Sequence, residues 1–251
     1  MALTKHVYEF PRPNELTQAD FFDELVAFAA TMFSNDDRAG YEAMIETDGV
    51  RNIRVLLWRD VREAIQGFVF VRHVETEVDG QSCDVFRAVA AMTPTYRRAG
   101  KALGFGISTA VAHKLRHPFR RSYYLGSLIH PSAYYMFARY TPTMWPNHRN
   151  ETPPAMAALM ARVARASSLE LVAETQPLLA FEAVMTRETE AEAAFWRAHR
   201  RPEVQSFLRW NPDYDQGRGL VVLIPLSAHN LTLGTARYLT RRLRRWLRSL
   251  V

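Results

Sequence analysis

The chain has 251 residues, 48% apolar and 23% charged, an ordinary globular composition that suffices for one large domain or two small ones. Its one cysteine, Cys83, excludes an intramolecular disulfide and a cysteine-rich zinc site, and fits a small buried apolar residue in a reducing, cytoplasmic setting. No apolar signal core follows the N-terminus and no stretch nears the ~20 apolar residues of a membrane span, while the net charge of +6 favours anionic partners: nucleotides, cofactor phosphates, anionic lipid or an acidic protein.

Along the chain, Thr17-Gln-Ala-Asp20 predicts a capped helix start, with Phe21, Phe22, Leu25, Val26, Phe28, Ala29 and Met32 at helical spacing. A shorter helix is expected from about Asp37 to Ile45. Residues 53–58, 65–74 and 83–91 are rich in β-branched and aromatic residues, and Val78-Asp-Gly-Gln81 reads as a hairpin turn, so three consecutive antiparallel strands are predicted. Leu103, Ile107, Ala110, Val111 and Leu115 restore the helical period from Gly100 until Pro118 stops it. A strand over 122–129 and a helix opening at Pro131 follow. Beyond Tyr140 a proline-punctuated loop leads to a helix over 154–166, a strand within 178–186, a helix over 189–200 and a strong strand at 219–226. The fold class is α/β with a mixed sheet. No repeat or Gly/Ser linker divides the chain, which reads as one domain with a core over 1–145, an extension over 146–235 and a basic helix over 236–251.

The stretch Thr95 to Gly104, TYRRAGKALG, lies between a strand and a helix. The first N–H groups of a helix lack internal partners and carry the positive end of its dipole, and small residues let phosphate oxygens approach them. Arg97, Arg98, Ala99, Gly100, Lys101 and Ala102 supply both small residues and cations, which suits a diphosphate; a helix start with solvated arginines is the plain alternative. Neither G-x-G-x-x-G nor G-x-x-x-x-G-K-[ST] is present.

MTPTYRRAGKALG resembles motif A of the GNAT superfamily of acyl-CoA N-acyltransferases, V-x-P-x-[YF]-R-x-x-G-x-[GA], at Pro94, Tyr96, Arg97, Gly100 and Ala102, with Met92 in the hydrophobic slot. The order of elements is also similar to that fold, and HPSAYYMFARY resembles motif B. The resemblance implies a GNAT-like, mostly antiparallel sheet flanked by helices, and acyl transfer from acyl-CoA or acetyl-CoA to an amine by direct attack, with no metal. It implies that pantetheine lies along the backbone of Ala91 and Met92 where two strands splay, and that the amides of Arg98 to Ala102 hold the diphosphate. Lys101 departs from the family's aliphatic residue.

Motif B departs further. Aligning Ala133 with the family alanine puts Phe137 where the family's general-acid tyrosine stands, and His130 in place of its asparagine. Candidates for proton transfer are therefore His130, Tyr134 and Tyr140. His73, Glu75 and Glu77 share a strand face, either as a base and acceptor-binding group or as the solvated end of a hairpin. The alternative to a working transferase is a GNAT-like module that binds a ligand without turnover. Tyr134, Tyr135, Met136, Phe137, Tyr140, Met144 and Trp145 either line a pocket for a long acyl chain or pack a core. The tail TARYLTRRLRRWLRSLV puts Leu239, Leu243, Trp246, Leu247 and Leu250 at spacings of three and four among six arginines. Such a helix suits an anionic membrane surface, an acyl carrier protein, or its own domain. Nucleic acid is the weaker partner, since no recognised motif accompanies the charge.

Overall fold

The structure is a computed structural model that describes residues 3–97, 101–173 and 177–248. It opens with β1 (Thr4–Phe10), a 3-10 turn at Pro13–Gln18, α1 (Phe22–Met32), β2 (Phe33–Ser34) and α2 (Arg38–Glu46). A meander follows: β3 (Val50–Arg59), β4 (Ile65–Val78) and β5 (Gln81–Met92). After a 3-10 turn at Pro94–Tyr96 come α3 (Lys101–Arg116), β6 (Arg121–Leu128), α4 (Pro131–Tyr140) and α5 (Pro154–Ala166). The chain ends with β7 (Leu171–Ala173), β8 (Leu179–Phe181), β9 (Met185–Thr186), α6 (Glu190–Arg197), α7 (Pro202–Trp210), β10 (Arg218–Pro225) and α8 (Ala228–Arg248).

Among the described residues the main sheet has eight strands in the order β1-β3-β4-β5-β6-β10-β8-β7. Its pairs are antiparallel except β5 with β6, whose parallel alignment requires the α3 crossover. This is the mixed, mostly antiparallel sheet expected from the sequence. Both faces are covered, which explains why the central strands read as nearly unbroken apolar runs. On one face Ile53, Val55, Leu57, Phe68 and Phe70 pack with Phe22, Leu25 and Tyr41 of α1 and α2. On the other, Leu56, Trp58, Val69, Val71 and Phe86 pack with Phe105 and Ala110 of α3. Cys83 is buried with Val85 under α5. Among the described residues no helix is long and apolar enough to cross a membrane.

Several boundaries differ from expectation. Thr17 does not cap α1: its Oγ donates to the Asn14 carbonyl at 2.9 Å within a separate 3-10 turn that buries Leu16, and extended Ala19 delays the helix to Phe22. Asp37 does cap α2, accepting from Gly40 N at 2.8 Å. The strand expected over 178–186 divides at Glu182, where the chain leaves the main sheet and β9 pairs with β2. The C-terminal helix starts at Ala228 rather than 236. β1 and α7 were not anticipated.

Two glycines with positive φ shape the β3–β4–β5 meander, one at its second turn and one at its entry. Asp79 and Gly80, at φ 56° and 71°, make the tight hairpin between β4 and β5. Gly49, at φ 81°, precedes a register shift in the β3–β4 pair, and a Cβ there would lie 2.3 Å from the Glu75 carbonyl oxygen. Nothing lies within 4 Å of a Cβ at Gly80. Gly80→Ala should therefore cost only the left-handed backbone term of about 1–2 kcal/mol, whereas Gly49→Ala adds a backbone clash and should cost clearly more. Urea unfolding of the two variants checks this, and equal losses contradict the argument.

Candidate active site

The parallel β5–β6 ladder runs from Cys83–Arg121 to Phe86–Tyr124 and then stops. Beyond it β5 stays paired to β4 as far as Met92, and β6 stays paired to β10 through Leu128. Arg87–Met92 and Leu125–Leu128 thus present two facing strand edges with no ladder between them. Their free N–H and C=O groups require partners, which the amides of an extended ligand can supply.

Two polypeptide turns leave this gap. On the β5 side, Thr93 closes the strand end by bonding from its N to Gln66 O at 3.0 Å. Arg97 returns to the Met92 carbonyl at 3.0 Å and pairs with Glu192 of α6 at 3.1 Å. The backbone of α3 starts at Lys101, and Ala102 packs against the sheet. Arg98, Ala99 and Gly100, assigned to the diphosphate from the sequence, lie outside the described residues. One turn into α3, a Cβ at Gly104 would meet the Tyr238 hydroxyl, so α8 docks against α3 here.

On the β6 side the strand runs into His130, which is 7% exposed and caps α4. Its Nδ1 accepts from Ser132 N at 3.2 Å and lies 2.6 Å from Ser132 Oγ. A backbone N–H donates only, so Nδ1 is the acceptor and Nε2 carries the proton in the neutral ring. Nε2 then donates to Glu188 Oε2 at 3.2 Å, while Tyr214 donates to Glu188 Oε1 at 2.9 Å. Trp196 and Tyr214 enclose the imidazole edge-on. Burial lowers the His130 pKa from its ordinary value, and the Glu188 hydrogen bond opposes that shift. The result is a hydroxyl, a neutral imidazole and a carboxylate in series.

The other candidates take different positions. Tyr134 is fully buried, donates to the Pro146 carbonyl at 3.1 Å and packs against Phe207 and Trp210, and burial raises its pKa. Tyr140 is 3% exposed and meets Tyr238 edge-on, with Arg241 over its ring. Phe137 lies 4.9 Å from Tyr124 with its ring tilted by 34°, and Met144 is buried beside Tyr134. Tyr135 is flanked by Arg139 and Arg201. Glu75 pairs with Arg51 and Arg120, so it belongs to an ionic network at the far end of the sheet.

Two groups near the gap escaped sequence reasoning. Arg72 is buried, and Arg87, the first residue past the ladder, is half-buried on the α1, α2 and α5 face; Arg72 donates to Met44 O at 2.8 Å and Arg87 to Ser167 O at 3.3 Å. Glu182 accompanies them: burial raises its pKa, with Ser127 beside it and the Arg87 and Arg72 charges pulling it back down. Glu188 and Tyr214 were missed because they stand 58 and 84 residues from His130. The T-R-E-T-E run offered no signal beyond a helix start.

No protein-family model and no curated protein matches the chain. Among solved structures, a protein of unknown function from Enterococcus faecalis, described as a probable N-acyltransferase, is 14% identical at a TM-score of 0.35; the match covers 55% of this chain and 32% of that one. NAA60 of Arabidopsis thaliana, solved with acetyl-CoA, is 15% identical at a TM-score of 0.36, covering 56% of this chain and 87% of that one. The GNAT family N-acetyltransferase YhbS of Escherichia coli, solved with CoA, is 14% identical at a TM-score of 0.34, covering 55% and 69%. The chain thus spans about a third of the first of these and most of the other two.

The hydrogen bonding of His130 can be tested directly. The Glu188 hydrogen bond and charge raise the His130 pKa against the effect of burial, so Glu188→Gln should lower it further. Tyr134→Phe should leave it in place. Titration of the imidazole nitrogen resonances reads both, and an unmoved pKa in Glu188→Gln contradicts the pairing.

Proposed function

We propose that the chain is an acyltransferase that moves an acyl group from a coenzyme A thioester to an amine by direct attack. The observation that carries this reading is the gap between β5 and β6, which has the cradle helix α3 leaving one side and the Ser132–His130–Glu188 series ending the other. The edge at Ala91 and Met92 pairs with the pantetheine amides. The amides of Arg98 to Ala102 meet the diphosphate, as the motif resemblance implies. Arg97, held on Met92 O and Glu192, fixes the end of β5 beside that cradle.

In the reaction the amine nitrogen bonds to the thioester carbonyl carbon and the C–S bond breaks. The amine's surplus proton passes to Ser132 Oγ as the hydroxyl gives its own proton to His130 Nδ1. The imidazolium so formed faces Glu188, which Tyr214 holds. Run backwards, the same relay returns a proton to the departing thiolate, so a phenol at Phe137 is not needed. Tyr134 and Tyr140 then position α4. A non-catalytic binding module is the second reading, favoured by Phe137 and by the engagement of the Tyr134 hydroxyl with Pro146.

The C-terminal helix extends the proposal. Leu239, Leu243 and Leu247 are each about half exposed at 54%, 55% and 49%, while Tyr238 turns inward onto α3 and α4. A leucine stripe facing outward among arginines suits an anionic lipid surface, on which the enzyme meets an apolar donor or acceptor.

His130→Ala and Ser132→Ala should each lower kcat by more than about tenfold, with acyl-CoA affinity retained. Because only the neutral imidazole accepts a proton and burial lowers its pKa, kcat/KM should rise with pH through a pKa below 6.5 and level off near neutrality. Steady-state release of CoA thiol across an amine panel measures both. Acyl-CoA binding without turnover on any amine favours the binding module instead.

For the helix, Leu239→Glu with Leu243→Glu should cut sedimentation with phosphatidylserine vesicles by about tenfold or more while leaving the melting temperature within a few degrees. Unchanged sedimentation rules out the lipid surface, and retention of an acyl carrier protein by the wild type alone points to that partner.

A further inference from the structure

A second constellation lies at the opposite end of α3. His73 of β4, Asp84 of β5 and His113 of α3 place their ligand atoms within 4.8 Å of one another. His73 Nε2 is 2.8 Å from Asp84 Oδ1, and His113 Nε2 is 2.8 Å from Oδ2. Asp84 is 1% exposed, so its carboxylate is out of water, whereas the two rings keep partial access. Phe86 orients both: it stacks on His73 at 4.9 Å and 11°, and meets His113 edge-on at 4.9 Å. One helical turn beyond His113, the exposed His117 ring lies 4.9 Å from it. His117 stands just past the end of α3, its N–H donating to the His113 carbonyl at 2.9 Å, which brings its ring over that of His113.

We propose that His73, Asp84 and His113 form a binding site for a divalent transition metal, zinc or one of its borderline neighbours. Two imidazoles and a carboxylate match that class, in preference to magnesium or calcium, which take oxygen ligands. In the metal-free chain two imidazole Nε2–H groups satisfy the carboxylate; the metal takes the place of these protons on Nε2, each ring then carrying its proton on Nδ1, and the ligand atoms close in from hydrogen-bonding separations. His117 or water completes a tetrahedron.

Arg120 is the competing cation, with Nε 2.8 Å from Asp84 Oδ2. It also donates to Glu75, and to Ser82 Oγ at 2.9 Å. These partners retain its guanidinium when Asp84 turns to a metal. Arg51 shares Glu75 at 3.0 Å, so the outer network remains intact. The site is separate from the donor gap: His113 is 12 residues from the start of α3, or about 18 Å at 1.5 Å per residue. A metal there would pin the far end of the cradle helix to β4 and β5.

Calorimetry of the chelator-treated full chain with Zn²⁺ should show one equivalent bound with Kd below about 10 µM. Co²⁺ in its place should give the visible spectrum of a tetrahedral nitrogen–oxygen site. His73→Gln and His113→Gln, checked for fold by circular dichroism, should each weaken Zn²⁺ binding by at least about tenfold, the scale of losing one ligand or its support. Lys5→Ala with His6→Ala, far from the cluster, should not. No stoichiometric binding by the wild type, or equal binding by the double His73→Gln/His113→Gln variant, overturns the proposal and leaves a purely hydrogen-bonded cluster. If those variants fail to fold, the Co²⁺ spectrum of the wild type decides alone, and an octahedral, water-like spectrum overturns it.

Discussion

The parallel pairing of β5 with β6 is short, and the architecture depends on where it ends. Past Phe86 and Tyr124 the two strands separate while each remains fully paired on its outer side. An unpaired backbone group away from water costs about as much as a lost hydrogen bond, roughly 1–3 kcal/mol, so such a gap persists only if neighbours force it and a ligand or water fills it. Here β4 pins β5 as far as Met92, β10 pins β6 as far as Leu128, and Arg97 ties the end of β5 to α6. The rigid sheet therefore makes the cleft.

Residues 146–235 share in this. β10 supplies the outer partner of β6, and Glu182, Glu188 and Tyr214 supply the polar groups around the gap. Arg187 anchors the segment by donating to Ala30 O at 3.2 Å and Phe33 O at 3.0 Å at the end of α1. A core without this segment would lack both the strand that holds β6 open and the carboxylate that His130 faces.

Much of the central fold was legible because burial on both faces writes itself as runs such as IRVLLW and IQGFVFV, and because Pro131, Asp37 and Asp79-Gly80 punctuate the chain. β1 was not, since this edge strand alternates half-buried His6, Tyr8 and Phe10 with exposed Lys5, Val7 and Glu9 and so lacks a strong apolar period. α7 did carry a signal, Pro202 with Val204, Phe207 and Leu208, obscured by its polar surroundings. Of the candidate site, the glycine-bearing turn and His130 stood out through local pattern. Their partners did not: hydrogen bonds to Glu188 and Tyr214, like that between His73 and Asp84, join residues that only the folded sheet brings together.

His130 shows why those distant partners matter. A buried imidazole that had a free nitrogen would need no relay, but here Nδ1 is held by the first turn of α4 and Nε2 by Glu188. Burial keeps the ring neutral, and the carboxylate lessens the cost of protonating it. These opposed effects suit a group that must accept a proton briefly and release it again, since a base held too acidic cannot take the proton and one held too basic cannot return it. Among the described residues Ser132 is the side chain hydrogen-bonded to Nδ1, and it is only partly buried, so under the proposed mechanism a proton would pass between the ring and the gap through its hydroxyl. The local sequence H-P-S thereby sets both the tautomer and the cap of α4 in a single turn.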